Sequence, residues 1–287
     1  MRCLVTGGCG FIGGHLVDAL AAANHTVTVV DNMSANSNTF WHSDSDNVSY
    51  ENLDICDYSA MESLFSEKRF EWVFHLAAES RIQPALINPI KASHVNVTGT
   101  SVVLNLARDF SVKRFVYSST SSCYGSKNKP PLKETMQNDN LNPYAVTKLA
   151  AEDLCMMYWK TFGTPTVALR YFNVYGDRMP SEGQYAPALA IFMKQKKEGV
   201  PLTVVGDGLQ TRDFVHVSDV VKANISVAES SKKSVCGEAF NVGTGKSVSI
   251  LDLANIISDE ISHIPDRPGE SRDTLCDYSK LNKATGW

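Results

Sequence analysis

No apolar run in this 287-residue chain approaches the ~20 residues needed to cross a bilayer, which excludes an ordinary membrane-spanning helix. Lys and Arg form no block, and the net charge is −4, so neither nucleic acid nor an anionic membrane is expected as a partner. The seven cysteines (Cys3, Cys9, Cys56, Cys123, Cys155, Cys236 and Cys276) are odd in number, scattered, and without a C-x-x-C pair. That pattern excludes a disulfide framework, gives no metal site, and suits reduced thiols in a cytoplasmic setting. Met1 leads straight into a strand-like run, so no signal peptide is expected. Internal repeats and low-complexity tracts are also missing. What remains is an ordinary globular mix, 43% hydrophobic and 20% charged, long enough for one large domain or two lobes.

Glycine is where the chain becomes specific. The apolar run 3–5 meets Gly7, Gly8, Gly10 and Gly13, a helix-like pattern opens at Phe11 and Ile12, and a second apolar run ends at Asp31. The spacings Gly8-x-Gly10-x-x-Gly13 and Gly7-x-x-Gly10-x-x-Gly13 both fit a dinucleotide-binding β-α-β unit. One glycine allows the tight turn, one admits the pyrophosphate, and one lets helix and strand pack closely. The free N–H groups at the start of the helix suit phosphate. An acid about 20 residues on accepts the ribose hydroxyls and repels a 2′-phosphate, so NAD is favoured over NADP. Chance glycines in a plain strand–turn–helix would not also place strand, helix and Asp31 in register.

Apolar strand patterns at 3–5, 26–30, 47–52, 72–76, 114–118 and 166–170 alternate with helical patterns at 11–23, 59–68, 89–110 and 143–162. The alternation predicts an α/β fold of Rossmann type, a doubly wound parallel sheet. Polar loops are expected at 32–47, overhanging the adenosine side, and at 126–141. Beyond 170 the order loosens: a Gly- and Pro-rich stretch at 173–187, helices at 188–198, 218–228 and 250–261, strands at 201–205 and 239–242, and an irregular tail from 265. The expected division is a dinucleotide domain over 1–172, to which 213–245 returns, and a smaller substrate-binding lobe from 173–212 and 246–287.

Tyr144-Ala-Val-Thr-Lys148 puts a phenol and an amine on one face of a helix that Asn142 and Pro143 would open. A free tyrosine titrates near ~10, too high for a base at neutral pH. A neighbouring ammonium and the positive ring of NAD⁺ would lower that value and make Tyr144 a general base. The hydroxyl cluster from Ser118 through Thr120 to Ser122 follows an apolar strand, at the end where such sheets bind ligands. Taken alone, each could be an incidental helix pair or a Ser-rich loop; behind a dinucleotide fingerprint they read as an active site.

The chain resembles the extended short-chain dehydrogenase/reductase family, and within it the UDP-hexose and UDP-N-acetylhexosamine 4-epimerases. The residues that carry the likeness span nearly the whole chain: Thr6 to Gly13, Asp54-Ile55, Leu76-Ala77-Ala78, Asn96, Ser118 to Thr120 with Tyr124-Gly125, and Asn142 to Lys148. Downstream are 169–176, 212–216, 241–243 and 267–269. The resemblance implies that Asn32, Asp54 and Ile55 serve the adenosine end, and that Leu76, Ala77, Ala78, Asn96 and Ser118 serve the cofactor. It makes Thr120 the partner of Tyr144 and borders the sugar with Ser121 and Ser122. It assigns the diphosphate to Asn173, Arg212 and Arg267, as a dianion facing two guanidinium groups requires, and the uracil to Val204, Val205 and Gly206.

In the reaction so implied, Tyr144 takes the proton of the sugar 4-hydroxyl while hydride leaves C4 for NAD⁺. Family dehydratases carry Asp-Glu after the catalytic Thr, and decarboxylases a Glu at the position of Ser122; this chain has Ser121-Ser122. Epimerisation remains. Thr274 sits where 4-epimerases place a gating side chain, and its small size makes room for an N-acetyl group. Ser80 replaces a lysine that contacts cofactor in some relatives. A homodimer through a four-helix bundle of 89–110 and Pro143–Phe162 is also implied. The alternatives are a UDP-uronic acid 4-epimerase, an NAD(P)-dependent reductase, and a non-catalytic dinucleotide-binding regulator.

Overall fold

The computed structural model describes residues 1–35, 41–180 and 187–287. The first half of the chain runs β1 (Arg2–Thr6), α1 (Phe11–Ala22), β2 (Thr26–Val30), β3 (Val48–Glu51), α2 (Tyr58–Lys68), β4 (Trp72–His75), α3 (Ile82–Ile87) and α4 (Pro89–Ser93). A π-helical turn (His94–Gly99), α5 (Thr100–Asp109), β5 (Arg114–Thr120), a 3₁₀ turn (Ser121–Tyr124), α6 (Pro143–Phe162) and β6 (Thr166–Tyr171) follow. Then come β7 (Asn173–Tyr175), α7 (Ala188–Glu198), β8 (Leu202–Val205), β9 (Thr211–His216), α8 (Val217–Glu229), β10 (Glu238–Val242), β11 (Ser247–Ser249), α9 (Ile250–Ile257), β12 (Ile261–Ile264) and α10 (Ser279–Thr285).

Seven strands form one parallel sheet in the order β10-β6-β5-β4-β1-β2-β3. That is the doubly wound order, extended by a returning strand. Side chains alternate across it: Cys3 and Val5 of β1 face the core shared with α1 and α8, whereas Leu4 faces the core shared with α2, α5 and α6. Burial on both faces explains why these strands read as near-continuous apolar runs. The second lobe holds a three-stranded sheet, β11-β9-β7, and a two-stranded one, β12-β8, packed against α7 and α9.

Four local expectations are corrected. The helix expected over 89–110 is broken by the π turn, which inserts the buried Asn96. The helix expected over 250–261 stops at Ile257, and Ile261–Ile264 pairs in parallel with β8. The tail is not irregular: Leu281 of α10 is fully buried in the main core, and Lys280 bonds the Ala239 carbonyl and Glu238. Residues 279–285 therefore pack on the large sheet rather than in the lobe. Strand β7 and helix α3 had no local signal strong enough to predict them. The loop expected at 32–47 and the stretch 173–187 lie partly outside the described residues.

Candidate active site

A cleft of about 580 Å³ opens beyond the carboxyl ends of β1, β2, β4, β5 and β6, with the second lobe as its other wall. At one end Gly7, Gly10 and Gly13 form its floor. Gly7 has φ +70, and a Cβ there would lie 2.7 Å from the Ala77 amide nitrogen. A Cβ at Gly13 would lie 2.2 Å from the Gly7 carbonyl oxygen, so only glycine lets α1 approach the strand this closely. Helix α1 begins without a side-chain cap at Gly10, so its first N–H groups, at Phe11 and Ile12, face the cleft unclaimed. Asp31 lines the same end, its two carboxylate oxygens held by the Cys9 and Met33 amides. This donor set, a bare helix N-terminus with a carboxylate at the next strand end, fits a dinucleotide.

Asn32, Ile55, Leu76, Ala77, Ala78 and Ser118 line the cleft as expected. Asp54 does not: it is exposed and reaches the site through Asn32, whose Nδ2 donates to its carboxylate at 3.0 Å. Asn96 does not touch the cleft either. Its amide is buried, bonding the Glu79 N–H and C=O and donating to the Thr147 hydroxyl, so it ties the loop after β4 to α6.

Helix α6 starts where Asn142 caps the Ala145 amide at 2.8 Å, and its first turns carry Tyr144 and Lys148 into the cleft. Thr120 ends β5 beside Tyr144, hydrogen-bonded to it, and also accepts from the Ser122 amide. Burial raises the Tyr144 pKa, with the Thr120 hydrogen bond pulling it down, so the lowered phenol expected from sequence is not a property of the protein alone. Burial also pushes the Lys148 ammonium down to about 7, opposed by Cys155 and Glu152. Sequence reasoning missed Glu152, one turn beyond Lys148. Its carboxylate is buried, accepts from Ser119, and takes three N–H bonds from the buried Arg170. The i, i+4, i+8 spacing from Tyr144 was the available signal.

Ser121, Ser122, Asn173, Arg212, Arg267 and Thr274 line the far half. The Arg212 guanidinium is braced by the Thr211 and Arg272 carbonyls and lies 3.4 Å from Glu270. Thr274 is buried, its hydroxyl accepting from the Asp213 amide. Val204 is a correction: it is fully buried among Phe192, Leu202 and Ile250, and Val205 and Thr203 face the cleft instead. Adjacent residues of a strand face opposite ways, and only the packing against α7 and α9 decides which. Arg81, in the loop before α3, also lines the cleft and carried no motif.

A family model described as the NAD dependent epimerase/dehydratase family matches residues 3–243. The chain belongs to that family. NAD is accordingly its cofactor, in agreement with the glycine-rich floor and Asp31. Within the epimerase/dehydratase family it is similar to the UDP-glucose 4-epimerase of Mycolicibacterium smegmatis, 34% identical over 296 residues, which covers 100% of this chain and 93% of that one. The crystal structure of UDP-glucose 4-epimerase from Thermotoga maritima with UDP-glucose superposes with a TM-score of 0.94 at 34% identity, covering 100% and 93%. UDP-N-acetylglucosamine 4-epimerase from Methanobrevibacter ruminantium, solved with UDP-N-acetylmuramic acid, gives 0.91 at 33% identity, covering 99% and 91%. No helix among the described residues is long and apolar enough to cross a membrane.

Proposed function

We propose that this chain interconverts the C4 epimers of a UDP-sugar, taking UDP-Glc/UDP-Gal and also UDP-GlcNAc/UDP-GalNAc. The observation that carries the reading is the makeup of the wall around Tyr144. Among the described lining residues the carboxylates are Asp31, held by backbone amides, and Glu270, beside Arg212. Beside Thr120 stand Ser121 and Ser122. Tyr144 is thus the acid/base group at the reacting end, and it is suited to removing and returning one proton at one oxygen. Elimination or decarboxylation would need a second such group.

The N–H groups at Phe11 and Ile12, the carboxylate of Asp31 and the Lys148 ammonium would hold NAD. When bound, NAD supplies reversible hydride acceptance at C4. Tyr144 accepts the 4-hydroxyl proton, and Thr120 steadies the phenol through its hydrogen bond. Lys148 keeps a positive charge beside that phenol and favours its ionised form. Arg212 and Arg267 neutralise the substrate diphosphate, and Asn173 adds a neutral contact. The small side chain of Thr274 leaves space for a C2 N-acetyl group. The exposed apolar side chains of Leu86, Ile87, Ile90 and Val146 on α3, α4 and α6 suit a second copy of this chain, giving a homodimer through a helical bundle.

The test is incubation with UDP-Glc and UDP-GlcNAc separately, with the C4 epimer followed by NMR. Both epimers are expected, with no net NADH formed. Tyr144→Phe should lower kcat by about 10²–10⁴-fold while NAD stays bound. Thr274→Tyr should lose the N-acetyl substrate and keep UDP-Glc; equal loss of both would remove Thr274 from the specificity argument.

A further inference from the structure

We propose that Tyr117 is a positioning residue for this reaction: its ring face holds the Lys148 ammonium charged and aimed into the cleft, while its hydroxyl fixes the backbone of the same residue. Tyr117 lies on β5, fully buried, three residues before Thr120. The Lys148 Nζ sits 4.4 Å from the centre of its ring, and the phenol donates to the Lys148 carbonyl at 3.2 Å. One side chain therefore grips the lysine at both ends.

The need for such a grip follows from what else faces the ammonium. On its own helix these groups are Tyr144, Glu152 and Cys155; from β4 comes His75, and from β5 Tyr117. His75 stays neutral, pushed down to about 3 by burial and by Lys148 itself. The Cys155 and Tyr117 protons are held on by burial. The Glu152 carboxylate is taken up by Arg170 and Ser119. Among the described residues no hydrogen bond or ion pair reaches the Lys148 ammonium. A buried cation without a carboxylate partner loses its proton unless something else favours the charge, and an aromatic face does so. His75 packs against Tyr117, ring centres 6.0 Å apart and 25° from parallel, and is itself bonded to the Thr6 and Thr100 hydroxyls. The imidazole and the hydroxyl bond together hold the ring against the lysine, leaving the ammonium's N–H donors for the cleft.

The proposal rests on the epimerase reading for its consequence and not for its geometry, and the test separates the two. Tyr117→Phe keeps the ring and removes the hydroxyl; mono- and pentafluorinated phenylalanine at the same position keep the shape and drain the π face. The Lys148 ammonium is titrated in the cofactor-loaded protein by the NMR shift of its ¹³C-labelled ε-carbon, assigned by its loss in Lys148→Arg. Tyr117→Phe should leave the midpoint close to that of the unaltered protein. Pentafluorination should lower it by about one pH unit, equivalent to about 1.4 kcal/mol, with monofluorination between. The alkaline limb of kcat should move down with it, because activity needs the ammonium. A midpoint that ignores fluorination overturns the proposal, as does a midpoint that moves while the rate profile does not. A series that moves as expected in a protein inactive on every UDP-sugar would sink the epimerase reading and leave the grip standing.

Discussion

His75 is buried between two hydroxyls, and its neutral form is the one the fold accepts. Its Nδ1 is 2.7 Å from the Thr6 hydroxyl and its Nε2 3.0 Å from that of Thr100, so β1, β4 and α5 meet on one imidazole. Burial, and secondarily Lys148, push its pKa down to about 3 from an ordinary value of 6.5. The sign of the linkage follows. The unfolded chain takes up a proton below about 6.5 and the folded one does not until about 3. The stability this group contributes is complete above 6.5 and is lost as pH falls through that window, at up to about 1.4 kcal/mol per pH unit. Urea midpoints between pH 4 and 7 should fall steeply for the native protein and less steeply for His75→Gln, which keeps hydrogen-bonding groups but does not titrate. Parallel slopes would remove His75 as the cause.

Helix α6 shows what one element can do for a site. Its N-cap, Asn142, spends its carbonyl oxygen on the Ala145 amide and its Nδ2 on the Gly269 carbonyl at 2.8 Å. The first bond starts the helix that carries Tyr144 and Lys148. The second pins the loop that carries Arg267. Asn142→Ala should cost about 1 kcal/mol of stability for the lost cap. It should also raise KM for the UDP-sugar more than it lowers kcat, because the loop loses its anchor while the phenol and amine remain on a formed helix. A thermal melt and steady-state kinetics check both parts; an unchanged KM would show that the loop is placed by other contacts. The π turn at 94–99 makes a similar point. The extra residue per turn brings Asn96 inward to join Glu79 and Thr147, a use of irregular helix that hydrophobic spacing does not report.

At the scale of the whole molecule, α3, α4 and α6 present exposed apolar side chains, Leu86, Ile87, Ile90 and Val146. Ile87 and Ile90 are 72% and 81% exposed, more than a solvated helix needs to show of an isoleucine. Each lies close in sequence to the loop that carries Arg81 into the cleft, so a second copy seated on this face would share a wall with the site. Ile90→Asp should lower the mass seen by light scattering at micromolar concentration from that of the proposed dimer to that of a monomer. An unaltered mass, or a native protein that is already monomeric, would reassign that face.

The alternation of strand and helix, the glycine turn, Asp31 and the Tyr144–Lys148 pair were legible in the sequence because each depends on neighbours within a few turns of chain. Apolar runs of strand length, a glycine where a Cβ would strike a carbonyl, and two side chains four apart on a helix have the same meaning wherever they are placed. Tertiary structure decided the rest, because it depended on partners far along the chain. Val204 and Val205 differ only in which face of β8 meets α7 and α9. Ile261–Ile264 became a strand because β8 lay open beside it, and α10 formed where β10 and the main core could bury Leu281. Glu152 finds Arg170 eighteen residues away on β6, and the ring of Tyr117 meets the amine of Lys148 only once β5 and α6 are packed together. Helical spacing can put Glu152 on the face of Tyr144 and Lys148, but it does not name the ring or the opposite charge that a buried charge meets; its cost is met by a contact that exists only in the folded chain.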